Sequence, residues 1–139
     1  MDFVIEHLKN HGIKPSVQRV AIMRYLMEHC SHPTVDVIYC DLHMQMPTLS
    51  RTTVYNTLAL LEEKDALLAL TIDSRNIHYD GNIHPHAHFM CRQCKQIFDV
   101  PITEQNSYAK LAAIPNGFKV EHTHIYYDGL CDKCRINEN

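Results

Sequence analysis

Apolar residues recur at helical spacing through the first part of the chain, and a residue able to cap a helix precedes each run. Asp2 stands before a short run through Asn10, which Gly12 stops. Pro15-Ser16 opens a second run in which Ala21, Ile22, Tyr25 and Leu26 form one stripe. His32-Pro33 breaks the chain, and Thr34 caps a third run with Val35, Ile38 and Leu42 at i, i+3 and i+7. Pro47 closes that segment. Ser50 then starts a fourth, with Val54, Leu58 and Leu61 inward and Arg51, Thr52, Tyr55 and Asn56 towards solvent.

The period then shortens. Residues 67–72 and 77–80 read as two short strands around the polar turn Asp73-Ser74-Arg75-Asn76. Helices followed by a hairpin predict a winged helix-turn-helix, whose recognition helix enters the DNA major groove. Gly81-Asn82 marks a hinge. Beyond it, 87–90 and 96–100 read as strands, and Thr103 caps a helix carrying Tyr108, Leu111 and Ala112 that Pro115-Asn116-Gly117 ends. Residues 118–127 read as a further strand. The prediction is an α+β chain with a winged-helix domain at 1–80, a hinge at 81–84 and a small α/β domain at 85–139.

Composition narrows the classes. A chain of 139 residues, 45% of them hydrophobic, can bury one modest core or two small ones. The second part is short, and a unit of that size usually needs a metal, a partner subunit or both. The net charge is −3, with 7 Lys/Arg against 10 Asp/Glu in residues 1–80 and 6 against 6 beyond. A nucleic-acid partner would therefore be held by a few placed cations and not by a basic excess. No apolar run is long enough to span a membrane. The opening Met1-Asp2-Phe3-Val4-Ile5-Glu6-His7 lacks the basic region of a secretory signal. A cytoplasmic location follows as the expectation, and there paired cysteines favour metal or redox chemistry over stable disulfides.

Four of the six cysteines fall in two Cys-x-x-Cys pairs, Cys91/Cys94 and Cys131/Cys134. Two such turns supply four thiolates, enough to close the tetrahedral shell of a structural Zn²⁺ with no position open to water. Cys30 and Cys40 have no partner at useful spacing and read as small buried residues. His86 and His88 leave the same face of a strand, while Cys91, three residues on, leaves the other. That parity predicts a second metal site, with Asp80 and Asp99 as oxygen donors. Imidazole with carboxylate suits Fe²⁺, Mn²⁺ or Zn²⁺ without choosing strongly among them.

Gly12-Ile13-Lys14-Pro15-Ser16-Val17-Gln18-Arg19, Ser31-His32-Pro33-Thr34, Ser50-Arg51-Thr52-Thr53-Val54-Tyr55-Asn56, His86-x-His88-x-x-Cys91-x-x-Cys94 and Cys131-x-x-Cys134 occur in that order. Together they resemble the Fur family of metal-responsive transcriptional repressors over nearly the whole chain. The resemblance implies a homodimer, with DNA bound by the amino-terminal domain and dimerisation by the carboxy-terminal one. It places a regulatory metal on His32, Asp80, His86, His88 and Asp99. Both acidic positions are aspartate, which looks like the peroxide-sensing PerR branch more than the iron-uptake branch. In that branch peroxide would oxidise His32 or His86. A further family site falls on Pro85, Ala87, Asn106 and Thr123, which are poor ligands; His122 and His124 flank the last of these, and His84 has no assigned role.

Operator DNA would meet Arg51 and Tyr55 at the start of the fourth helix, with Lys14, Arg19 and Arg75 on the backbone. Three other readings compete with a peroxide sensor. One is an iron-uptake regulator. Another is a small metalloenzyme, which an open metal site would permit, though no spare general base stands at a signature spacing. The third is a zinc-stabilised interaction module with no DNA role.

Overall fold

The computed structural model describes residues 2–103 and 112–136. They fall into two compact units, Met1–Ile83 and His84–Asn139, each taken by itself below. The helix expected from Thr103 lies largely outside the described residues.

The first unit runs α1 (Phe3–Asn10), α2 (Val17–Glu28), α3 (Val35–His43) and α4 (Arg51–Glu63), then β1 (Leu68–Leu70) and β2 (His78–Asp80). Each helix starts where its cap predicts. The side chains of Asp2, Ser16, Thr34 and Ser50 accept the backbone N–H of Val4, Arg19, Val37 and Thr53, satisfying donors that the first turn leaves open. Gly12, at φ 72°, lets the chain leave α1 through a left-handed turn, with Ile13 N–H returning to Leu8 O at 2.9 Å.

One core joins these elements. Leu8, Ile22, Leu26, Ile38, Leu58 and Leu61 are fully enclosed, and Tyr79 of β2 packs into the same cluster. On α4 the inward set is Val54, Thr57, Leu58 and Leu61, while Arg51, Thr52, Tyr55 and Asn56 are exposed. Four helices closed by the antiparallel β1–β2 pair, with Leu68 opposite Asp80 and Leu70 opposite His78, form the winged helix-turn-helix. The strands are shorter than the apolar pattern suggests. Pairing stops at Leu70, and residues 71–77 form the connecting loop.

The second unit is a three-stranded sheet in the order β4–β3–β5. β3 (His86–Cys91) pairs antiparallel with β4 (Ile97–Pro101) and parallel with β5 (Tyr126–Gly129). A short α5 (Asp132–Ile136) follows. The strand expected over 118–127 shrinks to its last residues plus two more. Its apolar members Phe118 and Val120 are 71% and 52% exposed, so no covered face holds that stretch extended.

Cys30 and Cys40 correct the sequence reading, since both are exposed. Cys30 lies just past the end of α2. Cys40 sits two positions after the buried Ile38, and about 200° of helical rotation carries it to the outer face.

Candidate metal centres and nucleic-acid interface

The Cys-x-x-Cys turns meet because parallel pairing brings Gly129 beside Cys91. The last residue of β3 thus stands next to the chain that leads into Cys131. Arg92 N–H donates to Gly129 O at 2.8 Å, and Lys95, at φ 66°, closes the first turn by donating to Cys91 O at 2.9 Å. The sulfurs of Cys91, Cys94, Cys131 and Cys134 all lie within 4.8 Å of one another. Cys94 Sγ and Cys131 Sγ are 3.9 Å apart, close to the roughly 3.8 Å that four sulfurs at about 2.3 Å from one tetrahedral zinc would keep. The donor set and its spacing fit zinc.

The thiols are not equivalent. Backbone N–H groups of Cys131 and Cys94 point at Cys91 and hold its thiol down at about 5. The Cys131 sulfur beside Cys134, aided by burial, pushes that thiol up to about 12. One ready thiolate beside reluctant neighbours is what crowding of like groups produces, and a dication relieves it.

A second donor cluster lies on the other pair of strands. Cross-strand pairing sets His88 opposite Asp99, and His86 is two residues along the same face. His86 Nε2 and His88 Nε2 are each 3.4 Å from the same atom, Asp99 Oδ1. His86 Nδ1 donates to the His84 carbonyl at 2.7 Å, which leaves the Nε2 of a neutral ring as an acceptor. An acceptor facing a carboxylate oxygen is an arrangement that a cation between them resolves, so the trio fits a metal. His84 thereby gains a role through its backbone.

In the first unit His32 and Asp80, 5% and 7% exposed, form a pair of their own, with His32 Nε2 3.5 Å from Asp80 Oδ2. Asn82 N–H donates to Asp80 Oδ1 at 2.9 Å, fixing the carboxylate. His32 adopts φ 53°, a conformation an L-residue holds only when its surroundings impose it. Tyr79 N–H donates to Pro33 O at 2.9 Å and the His78 ring to His32 O at 2.7 Å. β2 therefore supplies that constraint. Among the positions of the further family site, Ala87 is buried and apolar, and Asn106 lies outside the described residues.

The basic residues divide into three places. Lys14 and Arg19 line one polar cleft of about 440 Å³ with Ser16, Gln18, Thr53 and Asn56, where the start of α2 faces α4. Arg19 also donates to Lys14 O at 2.9 Å. Tyr55 is 57% exposed on α4. Arg51 is tethered: its Nε donates to Asp36 Oδ1 at 3.0 Å, and its guanidinium lies 4.7 Å over the Tyr39 ring. Arg75 sits apart, on the β1–β2 loop, where its N–H donates to Asp73 Oδ1 at 3.0 Å. Asp36, Tyr39 and His78 went unnoticed in the sequence, because an acid and an aromatic on a helix carry no mark of a partner fifteen residues away.

Comparison with known proteins fits this geometry. Residues 10–128 match the model of the ferric uptake regulator family. The chain is 35% identical over 135 residues to the peroxide operon regulator of Bacillus subtilis (strain 168), covering 97% of this chain and 93% of that protein. It is 34% identical over 131 residues to the peroxide-responsive repressor PerR of Staphylococcus aureus (strain Mu50), covering 94% and 88%. The crystal structure of the Campylobacter jejuni peroxide stress regulator superposes with a TM-score of 0.70 at 26% identity, covering 96% of this chain and all (100%) of that one. The chain belongs to the ferric uptake regulator family.

Proposed function

We propose that the protein is a metal-dependent transcriptional repressor whose homodimer binds operator DNA and which senses peroxide. The observation that carries this reading is the approach of His86 and His88 to one oxygen of Asp99, in a chain whose named relatives are peroxide regulators. The role is binding and release of DNA, not turnover.

On this reading one divalent ion, Fe²⁺ or Mn²⁺ with Zn²⁺ also accepted, takes donors from His32, Asp80, His86, His88 and Asp99. Donors carried by both sides of the 81–84 hinge give the ion differential affinity for one arrangement of the winged-helix domains. Only that difference shifts the population towards the DNA-binding form. By linkage, DNA tightens metal binding by the same factor. The four cysteines hold a separate, structural zinc.

Residues 1–80 serve as the DNA-binding domain, with α4 in the major groove. Tyr55 and Arg51 reach base edges or adjacent phosphates, Lys14 and Arg19 hold phosphate at their cleft, and Arg75 does so from the wing. Residues 85–139 serve as the dimerisation domain. Ile114, Phe118, Val120 and Tyr127 are each about half exposed or more, and an apolar set of that kind suits a partner subunit. The protein acts in the cytoplasm, where its DNA is.

Iron held by these donors would supply the redox chemistry by which peroxide adds one oxygen atom to the ring of His32 or His86 and leaves as water, and loss of that donor would release the DNA. The test is mass spectrometry of iron-loaded and manganese-loaded protein after peroxide, alongside DNA retention. One added oxygen on a peptide holding His32 or His86, in the iron form alone, is the expected result. Unmodified histidines together with release of DNA on simple iron removal would favour the iron-uptake reading.

A further inference from the structure

His78, the first residue of β2, is 16% exposed and has its two ring nitrogens on different parts of the first unit. Nδ1 donates to the backbone carbonyl of His32 at 2.7 Å, and Nε2 lies 2.9 Å from Asp73 Oδ2. The other oxygen of Asp73 accepts the N–H of Arg75 at 3.0 Å. A single imidazole therefore joins the main chain of a candidate metal ligand to the tip of the wing. Next to it, Tyr79 N–H holds Pro33 O at 2.9 Å, so the strand grips the residues on which the ligand loop turns. The strained backbone of His32, at φ 53°, gives that loop little freedom to move without moving what its carbonyl is bonded to.

We propose that His78 is a positioning residue that couples metal binding at His32 to the placement of the wing, and with it Arg75. The proposal rests on the regulatory-metal reading above. When the His32 ring is drawn to an ion, its carbonyl moves or stiffens with it. The imidazole passes that constraint through Asp73 to the wing turn. The wing is then ordered for DNA in the metal-loaded state and looser without metal. A hydrogen-bonded chain of this kind transmits coupling where its members shift together between two arrangements.

The test is amide hydrogen exchange on the full chain, followed by mass spectrometry of the peptide holding residues 71–77, with and without Mn²⁺. In the unaltered protein Mn²⁺ is expected to slow wing exchange about fivefold or more, the low end of ordinary coupling, and His32→Ala abolishes that slowing. In His78→Leu the ratio of the two rates falls close to one while Mn²⁺ still binds. A purely structural role would speed exchange equally in both states and leave the ratio intact, which overturns the proposal. Asp73→Ala, on the exposed loop and outside the core, gives the same readout should His78→Leu fail to fold. Mn²⁺ that binds through His32 but leaves the wing unchanged sinks the coupling alone. Mn²⁺ binding that does not need His32 sinks the regulatory-metal assignment, and the coupling with it.

Discussion

Arg51 and Asp36 are joined across helices, Arg51 Nε donating to Asp36 Oδ1 at 3.0 Å while the guanidinium rests 4.7 Å over Tyr39. The tether occupies Nε and one face of the guanidinium, and the side chain stays 58% exposed. A pre-aimed arginine loses less freedom when it meets a base edge or a phosphate than one on a free stem.

Asp36→Ala is expected to leave thermal stability almost unchanged, because a pair this exposed contributes only about 0–1 kcal/mol. Its effect falls on recognition. With a duplex enriched from a random pool and a scrambled control, fluorescence anisotropy should show reduced discrimination between the two, with mixed-sequence DNA bound as well as before or better. Arg51→Ala should cost roughly 1–3 kcal/mol on the enriched duplex if it reads a base. An equal loss on both duplexes would reassign it to phosphate.

Asp99→Asn removes the charge that faces both histidines while keeping shape. Mn²⁺ affinity is expected to fall by at least about tenfold, the scale seen for lost metal-site partners, with the zinc content of the cysteine cluster unchanged. Calorimetric titration alongside elemental analysis separates the two sites. Loss of zinc as well would mean that the substitution had unfolded the second unit.

Zinc removal should destabilise the second unit most, since few apolar side chains among its described residues are fully buried. The metal-free unit should also show a distinctive pH dependence. Cys91, held at about 5 against an ordinary 9.0, is ionised in the folded form while the unfolded chain still binds its proton. Its contribution to stability is therefore present in full above 9 and lost as pH falls through 5. Denaturation of the zinc-free protein at several pH values checks this, and Cys91→Ser should flatten the slope in that window.

Gly81→Ala should destabilise the first unit. An added Cβ would lie 2.9 Å from the Leu26 carbonyl oxygen, a backbone atom inside α2 that cannot step aside. Overpacking of this kind costs about 1–3 kcal/mol, measurable as a lowered thermal midpoint. An unchanged midpoint would show that the β2 end can shift away from α2.

Much of this molecule is legible in order along the chain because its signals are local. Asp2, Ser16, Thr34 and Ser50 cap helices within three residues of themselves, and the inward face of α4 follows from spacing, while on α2 the core takes Met23 beyond the expected stripe and leaves Ala21 half-buried. His86, His88 and Asp99 were found by strand parity and their distance from the cysteines. What escaped detection depends on residues far apart. The stretch over 118–125 alternates like a strand, yet only the part beside β3 is paired. The exposure of Cys40 depends on which helix face the core covers, and that of Cys30 on where α2 ends. His78 looked like one more residue of a short strand, since nothing nearby in sequence reveals that Asp73 and the His32 carbonyl sit on either side of its ring.

The burial around Asp99 bears on how quickly its site can change occupant. The histidine side chains are 8% and 3% exposed, and the aspartate they share is 42% exposed. On the regulatory-metal proposal, an ion reaching this trio would meet the exposed carboxylate before the enclosed rings, and its loading rate should fall as added salt screens that charge.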